Sequence, residues 1–338
     1  MIFTKIRKLE LKDVWTTSRN SSQCKENVFV KIEKNGVTGY GEAAPNIRYG
    51  EDAQTTEKMI LCASKAMSHH DLFKYTQVKE VLDDCIVAQN CAKAALDIAL
   101  MDWVAKSFNV PLYKMLGLNA DNTPLTSYSI GIDQIDVMKR KTREAQEYPI
   151  LKIKVGNQND EEIINAIRTV TDKSIRVDAN EGWKDKEVAV KKAEWMQSRG
   201  VEFIEQPMPA GMLEETAWVR QRVKLPLIAD EAVLTAADIP LLTEAYDGIN
   251  IKLMKAGGIQ EALKMISVAR AVGLKVMLGC MIESSIAITA AAHLSPLADW
   301  ADLDGNLLIS NDPFCGVKVS GGRLILNDQP GIGVTGPW

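Results

Sequence analysis

Leu151-Lys152-Ile153-Lys154, Val177-Asp178, Ile204-Glu205, Ala229-Asp230 and Ile251-Lys252 each end a short apolar run on an amine or a carboxylate. The runs recur at intervals of roughly one βα unit, with amphipathic helical windows such as Asp160–Val170, Lys184–Ser198 and Ile259–Val272 between them. Short apolar runs alternating with helical periodicity predict parallel strands joined by helices. Strands are expected near Leu125–Ile130, Ile150–Val155, Ser174–Asp178, Val201–Glu205, Leu225–Asp230, Gly248–Lys252, Lys275–Gly279 and Trp300–Asp304, the last without a following helix. Eight is the number that closes a (β/α) barrel, and closure brings the carboxyl ends of all the strands to one face. Residues that are distant in sequence then become neighbours around one mouth.

The flanking segments have a different texture. Ile2–Leu11, Val28–Glu33 and Val37–Glu42, with a turn at Asn35-Gly36, predict an antiparallel meander. From Asp52 to Leu116 the pattern becomes helical, with Ala92, Ala95, Leu96, Ala99 and Leu100 at three- and four-residue steps. Residues 1–118 are expected to form an α+β unit, and 119–311 the barrel. A hairpin is expected at Gly316–Ser320 and Arg323–Asn327 across Gly321-Gly322, returning to the N-terminal meander so that 312–338 complete that unit. A chain of 338 residues has room for both parts.

Three carboxylates converging at strand ends repel one another and need a compensating positive charge. Oxygen-only donors suit magnesium (Mg²⁺), and the three histidines, His69, His70 and His293, lie away from the strand ends, against zinc or non-haem iron. Strand alternation puts Lys152 and Lys154 on one face, so each is expected to lower the other's pKa toward that of a general base. Lys252 closes a strand four places round the ring from Lys154, so the two amines face each other across the mouth. A carbon held between them could lose a proton on one face and regain it on the other, which is epimerisation or racemisation. The same groups could serve β-elimination or cycloisomerisation. A structural network of acids and lysines is the alternative reading, as is a Schiff-base barrel with one lysine as nucleophile, or a barrel that only binds a ligand.

Net charge is −4 with no basic stripe, which offers nothing to nucleic acid or anionic membrane. No apolar segment is long enough for a membrane span, and no export signal is read at the N-terminus. Six scattered cysteines without a CxxC pair read as reduced thiols, so a cytoplasmic protein is expected. The oligomeric state stays open, a homo-oligomer included.

These motifs resemble the enolase superfamily, in its muconate lactonizing enzyme subgroup and there the dipeptide epimerases. The resemblance rests on Leu151–Val155, Val177-Asp178-Ala179-Asn180, Ile204-Glu205-Gln206-Pro207, Ala229-Asp230-Glu231 and Ile249–Lys255 with Gly257-Gly258, and extends to Gly39–Pro45 and Ala94–Leu100. It implies a capping domain and a modified TIM barrel, (β/α)7β. It also implies Mg²⁺ on Asp178, Glu205 and Asp230, Lys154 and Lys252 as the acid/base pair, Lys152 tuning Lys154, and Asn180 and Glu231 supporting the ligands.

Asp302-Leu303-Asp304 matches the family's Asp-x-Asp, which holds the substrate's α-ammonium group. Arg19 is similar to an arginine that pairs with a glutamate side chain in enzymes acting on L-Ala-D/L-Glu, though its loop is about one residue longer than that pattern. Met281, Ile282 and Glu283 match the seventh strand end, where the first two are expected to line the substrate pocket and Glu283 has no assigned role. Ser129, on the first strand, is a candidate substrate contact. The implied activity is epimerisation of a dipeptide, with L-Ala-D/L-Glu foremost. Other dipeptides, o-succinylbenzoate synthesis and N-succinylamino acid racemisation are the alternatives.

Overall fold

The computed structural model describes residues 1–338. Its N-terminal part is an antiparallel sheet of β1 (Ile2–Thr16), β2 (Ser21–Lys34) and β3 (Val37–Ala43) in that order, packed on the helices Ala53–Ser68, Tyr75–Cys85 and Asn90–Ser107. Asn35 and Gly36 both adopt positive φ, the conformation a two-residue hairpin turn demands. The helix Asn90–Ser107 is buried almost all round, which explains its alanine-rich sequence. Gly39 and Gly41 of β3 press so closely on it that a Cβ would fall 2.2 and 2.0 Å from its carbonyls at Ala99 and Ala95.

The second part is the expected eight-stranded parallel sheet. It comprises β4 (Tyr128–Ile130), β5 (Ile150–Lys154), β6 (Ser174–Asp178), β7 (Val201–Glu205), β8 (Leu227–Ala229), β9 (Gly248–Lys252), β10 (Lys275–Gly279) and β11 (Trp300–Asp302), paired in sequence order. The ring closes through a parallel bridge between Thr126 and Ala301 and the Ser127 N–H to Ala301 bond of 3.2 Å. Parallel register aligns Lys154 with Asp178 and Asp178 with Glu205, and aligns Lys252 with Gly279 and Gly279 with Asp302. The functional ends are therefore level.

Three details differ from the sequence reading. The first strand is regular only over Tyr128–Ile130, because Leu125 bridges Arg323 while Thr126 closes the barrel. Between β8 and β9 the connection is a 3₁₀ turn, Ile239–Leu242, with Pro240 near its start in place of an α-helix. The C-terminal hairpin forms as β12 (Lys318–Ser320) and β13 (Arg323–Ile325), but it is a separate two-stranded sheet that docks on the barrel at Leu125 and Thr126 and does not join the meander. Segments either side of the hairpin make the return instead. Phe314 stacks on Phe29 at 5.9 Å, and Trp338 stacks on Tyr40 at 6.1 Å. No helix is long and apolar enough to cross a membrane.

Two buried carboxylates fasten the N-terminal part to the barrel. Glu42 accepts from the Ser284 N–H at 2.9 Å and the Ser284 hydroxyl at 2.5 Å, at the start of the helix Ser285–Ala292. Asp97 accepts from the N–H groups of Ile259 and Gln260 at 2.5 and 3.2 Å, at the start of the helix Ile259–Ala271. Both use the orphan donors of a helix N-terminus to satisfy a buried charge.

Candidate active site

Lys154, Asp178, Glu205 and Lys252 are the last residues of β5, β6, β7 and β9, Asp230 is one residue beyond β8, and Asp302 ends β11. All are buried. One carboxylate oxygen from each of Asp178, Glu205 and Asp230 lies within 4.8 Å of the others. Around this trio the amines interleave. Lys154 Nζ is 2.5 Å from Asp178, Lys252 Nζ is 2.7 Å from Asp230, and Lys152 Nζ contacts Asp302, Glu205 and Asp178 at 2.6, 2.7 and 3.3 Å.

The trio fits a divalent cation. Glu205 Oε2 and Asp230 Oδ1 are buried without a hydrogen bond, each in ion contact with only one lysine, and the donors are hard oxygens without histidine or cysteine. Burial and the neighbouring Asp178 push Glu205 up to about 8. Asp178 is held low by Lys154 and Lys152 against its own burial.

The expected lowering of the lysine pKa is reversed at Lys152, and Lys252 is raised as well. Burial opposes the charge on Lys252, but Asp230 and Glu205 hold its ammonium above the ordinary lysine range. Lys152 likewise stands high, because Asp302, Glu205 and Asp178 outweigh its burial. Lys152 therefore acts first as the counter-ion of three carboxylates.

Lys154 and Lys252 line one cavity of about 430 Å³, which also takes in Arg19, Ser129, Asn180, Met281, Ile282, Asp302 and Asp304. Asp302 uses Oδ2 on Lys152 and Oδ1 on the hydroxyls of Ser127 and Ser129, at 2.7 and 3.3 Å. Asp304 lies past the strand. Its Oδ2 accepts from the Ser129 N–H at 2.6 Å, while Oδ1 has only the Cys280 thiol at 4.0 Å. That open oxygen makes Asp304 the freer acceptor of the pair, while burial and the charge of Asp302 push its pKa up to about 7.

The β1–β2 turn brings Arg19 over the mouth. All its side-chain contacts run through Nη1, to Glu231 at 2.5 Å, Glu181 at 3.0 Å and the Asn180 carbonyl at 3.4 Å, which leaves the Nε–Nη2 edge free. Asn180 donates to Glu231 at 3.2 Å, and its N–H braces Asp178 Oδ1 at 2.9 Å. Glu283 is buried against the Met281 N–H at 2.7 Å and is not one of the three converging carboxylates; burial pushes it up to about 8.

Several neighbours escaped the sequence reading. Lys255, one turn beyond Lys252, contacts Asp230 Oδ1 at 2.6 Å and the carbonyls of Asp230, Val233 and Asn250, so it locks the β8 and β9 ends together. Its place three residues after Lys252 was the available signal. Asn250 donates to Glu205 Oε1 at 2.8 Å, and Gln206, at φ +37, accepts from the N–H groups of Asp230 and Ala232. Arg48 forks onto Glu181 through Nε and Nη2 at 3.0 and 2.9 Å. Nothing in a loop sequence marks such a partner in advance.

Residues 3–117 match the mandelate racemase / muconate lactonizing enzyme N-terminal domain family, and residues 136–336 match the enolase C-terminal domain-like family. The L-Ala-D/L-Glu epimerase of Bacteroides thetaiotaomicron is 46% identical over 327 residues, covering 96% of this chain and 85% of that protein. The structure of a substrate-liganded L-Ala-D/L-Glu epimerase from Bacillus subtilis superposes with a TM-score of 0.94 at 31% identity, covering 99% of this chain and 98% of that one. A dipeptide epimerase from Cytophaga hutchinsonii, complexed with Mg and D-Ala-L-Val, superposes at 0.95 with 27% identity, covering 99% and 95%. With both family matches and full-length similarity to these isomerases, the chain belongs to the enolase superfamily, in the mandelate racemase / muconate lactonizing enzyme family.

Proposed function

We propose that the protein is a Mg²⁺-dependent dipeptide epimerase that interconverts L-Ala-L-Glu and L-Ala-D-Glu by 1,1-proton transfer at the carbon next to the terminal carboxylate. The observation that carries this reading is the placement of Lys154 and Lys252. They end the second and sixth of eight barrel strands, line one cavity, and flank a carboxylate trio suited to a cation. A Cα between them is within reach of an amine on each face.

Asp178, Glu205 and Asp230 would hold the metal. When bound, it supplies positive charge that stabilises the dianion left as the carbon acid ionises. With Asp178 and Asp230 so engaged, Lys154 and Lys252 would share their counter-charges with the cation. One amine takes the α-proton, and the other, protonated, delivers a proton to the opposite face.

Lys152 keeps Asp302 and Glu205 oriented, and Asn180 and Glu231 brace Asp178 and Arg19. Asp304, with Asp302 behind it, receives the substrate's α-ammonium group. The free edge of Arg19 receives the glutamate side chain, where a guanidinium fork suits a carboxylate. Met281, Ile282 and Ser129 bound the pocket. Residues 1–118, with the segments that flank the C-terminal hairpin, act as the cap over the barrel of 119–311. The work fits cytoplasmic recycling of cell-wall peptides.

Proton NMR of L-Ala-L-Glu with protein and Mg²⁺ in D₂O tests this reading. Loss of the Glu α-proton signal together with appearance of the second diastereomer is the expected result. A full signal after prolonged incubation would remove L-Ala-L-Glu as a substrate.

A further inference from the structure

Every cation facing the cavity has a carboxylate partner except one. Lys152, Lys154 and Lys252 hold Asp302, Asp178 and Asp230, while Arg19 and Arg48 share Glu181. Lys25 also lines the cavity, is half-buried, and makes neither an ion pair nor a hydrogen bond. Burial pushes its ammonium below the ordinary range, opposed only by the neighbouring Cys24 and by no carboxylate. A cation lining a cavity without a paired carboxylate carries a desolvation cost. An anionic ligand would remove that cost.

The place of Lys25 indicates which part of a ligand it meets. On β2 it pairs with the buried Leu9, and alternation puts it on the same face as Asn27, about 7 Å along the strand. Asn27 Nδ2 donates to the Ile282 carbonyl at 3.0 Å, just beyond β10. Lys25 thus enters near the seventh and eighth strand ends, whereas Arg19, at the tip of the same hairpin, reaches Asn180 and Glu231 beyond the third and fifth. With Cα between Lys154 and Lys252 and the α-ammonium group at Asp304, the N-terminal residue of a dipeptide extends toward Lys25.

We propose that Lys25 is a specificity residue for the N-terminal position, pairing with a side-chain carboxylate there, so that the enzyme accepts dipeptides beginning with Glu or Asp as well as Ala. This inference rests on the epimerase reading above. The test is kcat and KM for L-Ala-L-Glu, L-Glu-L-Glu, L-Lys-L-Glu and L-Ala-L-Leu with wild type, Lys25→Met and Lys25→Arg. Wild type is expected to favour Glu-Glu over Lys-Glu by at least about tenfold, the worth of one modest charge pair. Lys25→Met should lower the Glu-Glu to Ala-Glu ratio of kcat/KM by about the same factor, mainly through KM, and Lys25→Arg should restore it.

An unchanged ratio overturns the proposal, as does an equal loss on all four substrates, which is what a structural role would give. A loss that separates Ala-Glu from Ala-Leu instead would assign Lys25 to the C-terminal side chain and overturn it too. If wild type epimerises Ala-Glu but ignores the N-terminal charge, only this inference fails. If it epimerises none of the four, the reading beneath it fails as well.

Discussion

Under the proposed two-base epimerisation, Lys154 and Lys252 differ in chemical duty only by the face of the substrate they meet. Replacing either with alanine should reduce epimerisation by about 10³-fold, within the range for loss of a positioned acid or base. Each variant should still exchange the α-proton of one diastereomer in D₂O, and the two variants should retain opposite diastereomers. Loss of both exchanges in both variants would count against two independent bases. Glu283 gives a prediction about stability. Its folded pKa of about 8 lies above the ordinary value of about 4.3. Between those values the folded protein holds a proton that the unfolded chain has released, so stability falls as pH rises through that window. Glu283→Gln should therefore gain about 4 kcal/mol on the parent between about pH 5 and pH 8.5 in urea unfolding. Parallel pH profiles for the two proteins would show that Glu283 does not titrate there.

At the scale of elements, the start of the helix Ile259–Ala271 joins the two parts of the chain. Gly258 sits at φ +118, and a Cβ there would fall 2.3 Å from Asp97 Oδ2. Gly258→Ala should cost about 3 kcal/mol or more, from backbone strain and the displaced Asp97. Gly36→Ala is the control, because Gly36 also has positive φ but has nothing within 4 Å of its Cβ position. It should cost only about 1 kcal/mol of conformational strain. Equal losses in urea unfolding would show that the Asp97 contact contributes little. The meander, the buried alanine-rich helix and most strands were legible from periodicity, because each depends on local alternation. The hairpin's docking site and the 3₁₀ turn after β8 were not. Each depends on which surface the neighbouring segment leaves open.

For the whole molecule, closure of the barrel concentrates negative charge that a cation relieves. Mg²⁺ at about a hundredfold excess over its Kd should stabilise the fold by about 2.7 kcal/mol, seen as a rise in Tm that EDTA reverses. Protons compete for the same oxygens, and Glu205 stands at about 8, so the rise should be larger at pH 8.5 than at pH 6. A Tm indifferent to Mg²⁺ at both pH values would exclude the trio as a metal site.

The sequence by itself determined the barrel and the candidate residues, because one strand per βα unit and one functional group per strand end are properties of local order. Tertiary structure alone decided how those groups share their charge. Lys152 stands amid three carboxylates, Lys255 locks Asp230 beneath Lys252, and Asp304 keeps the oxygen that Asp302 has committed to Lys152 and two serines. Only the folded hairpin of β1 and β2 sets Arg19 over the third and fifth strand ends and Lys25 by the seventh. The physical reason is distance. Coulomb energy and hydrogen bonding act over a few ångströms in space, and a linear pattern does not record which side chains approach that closely.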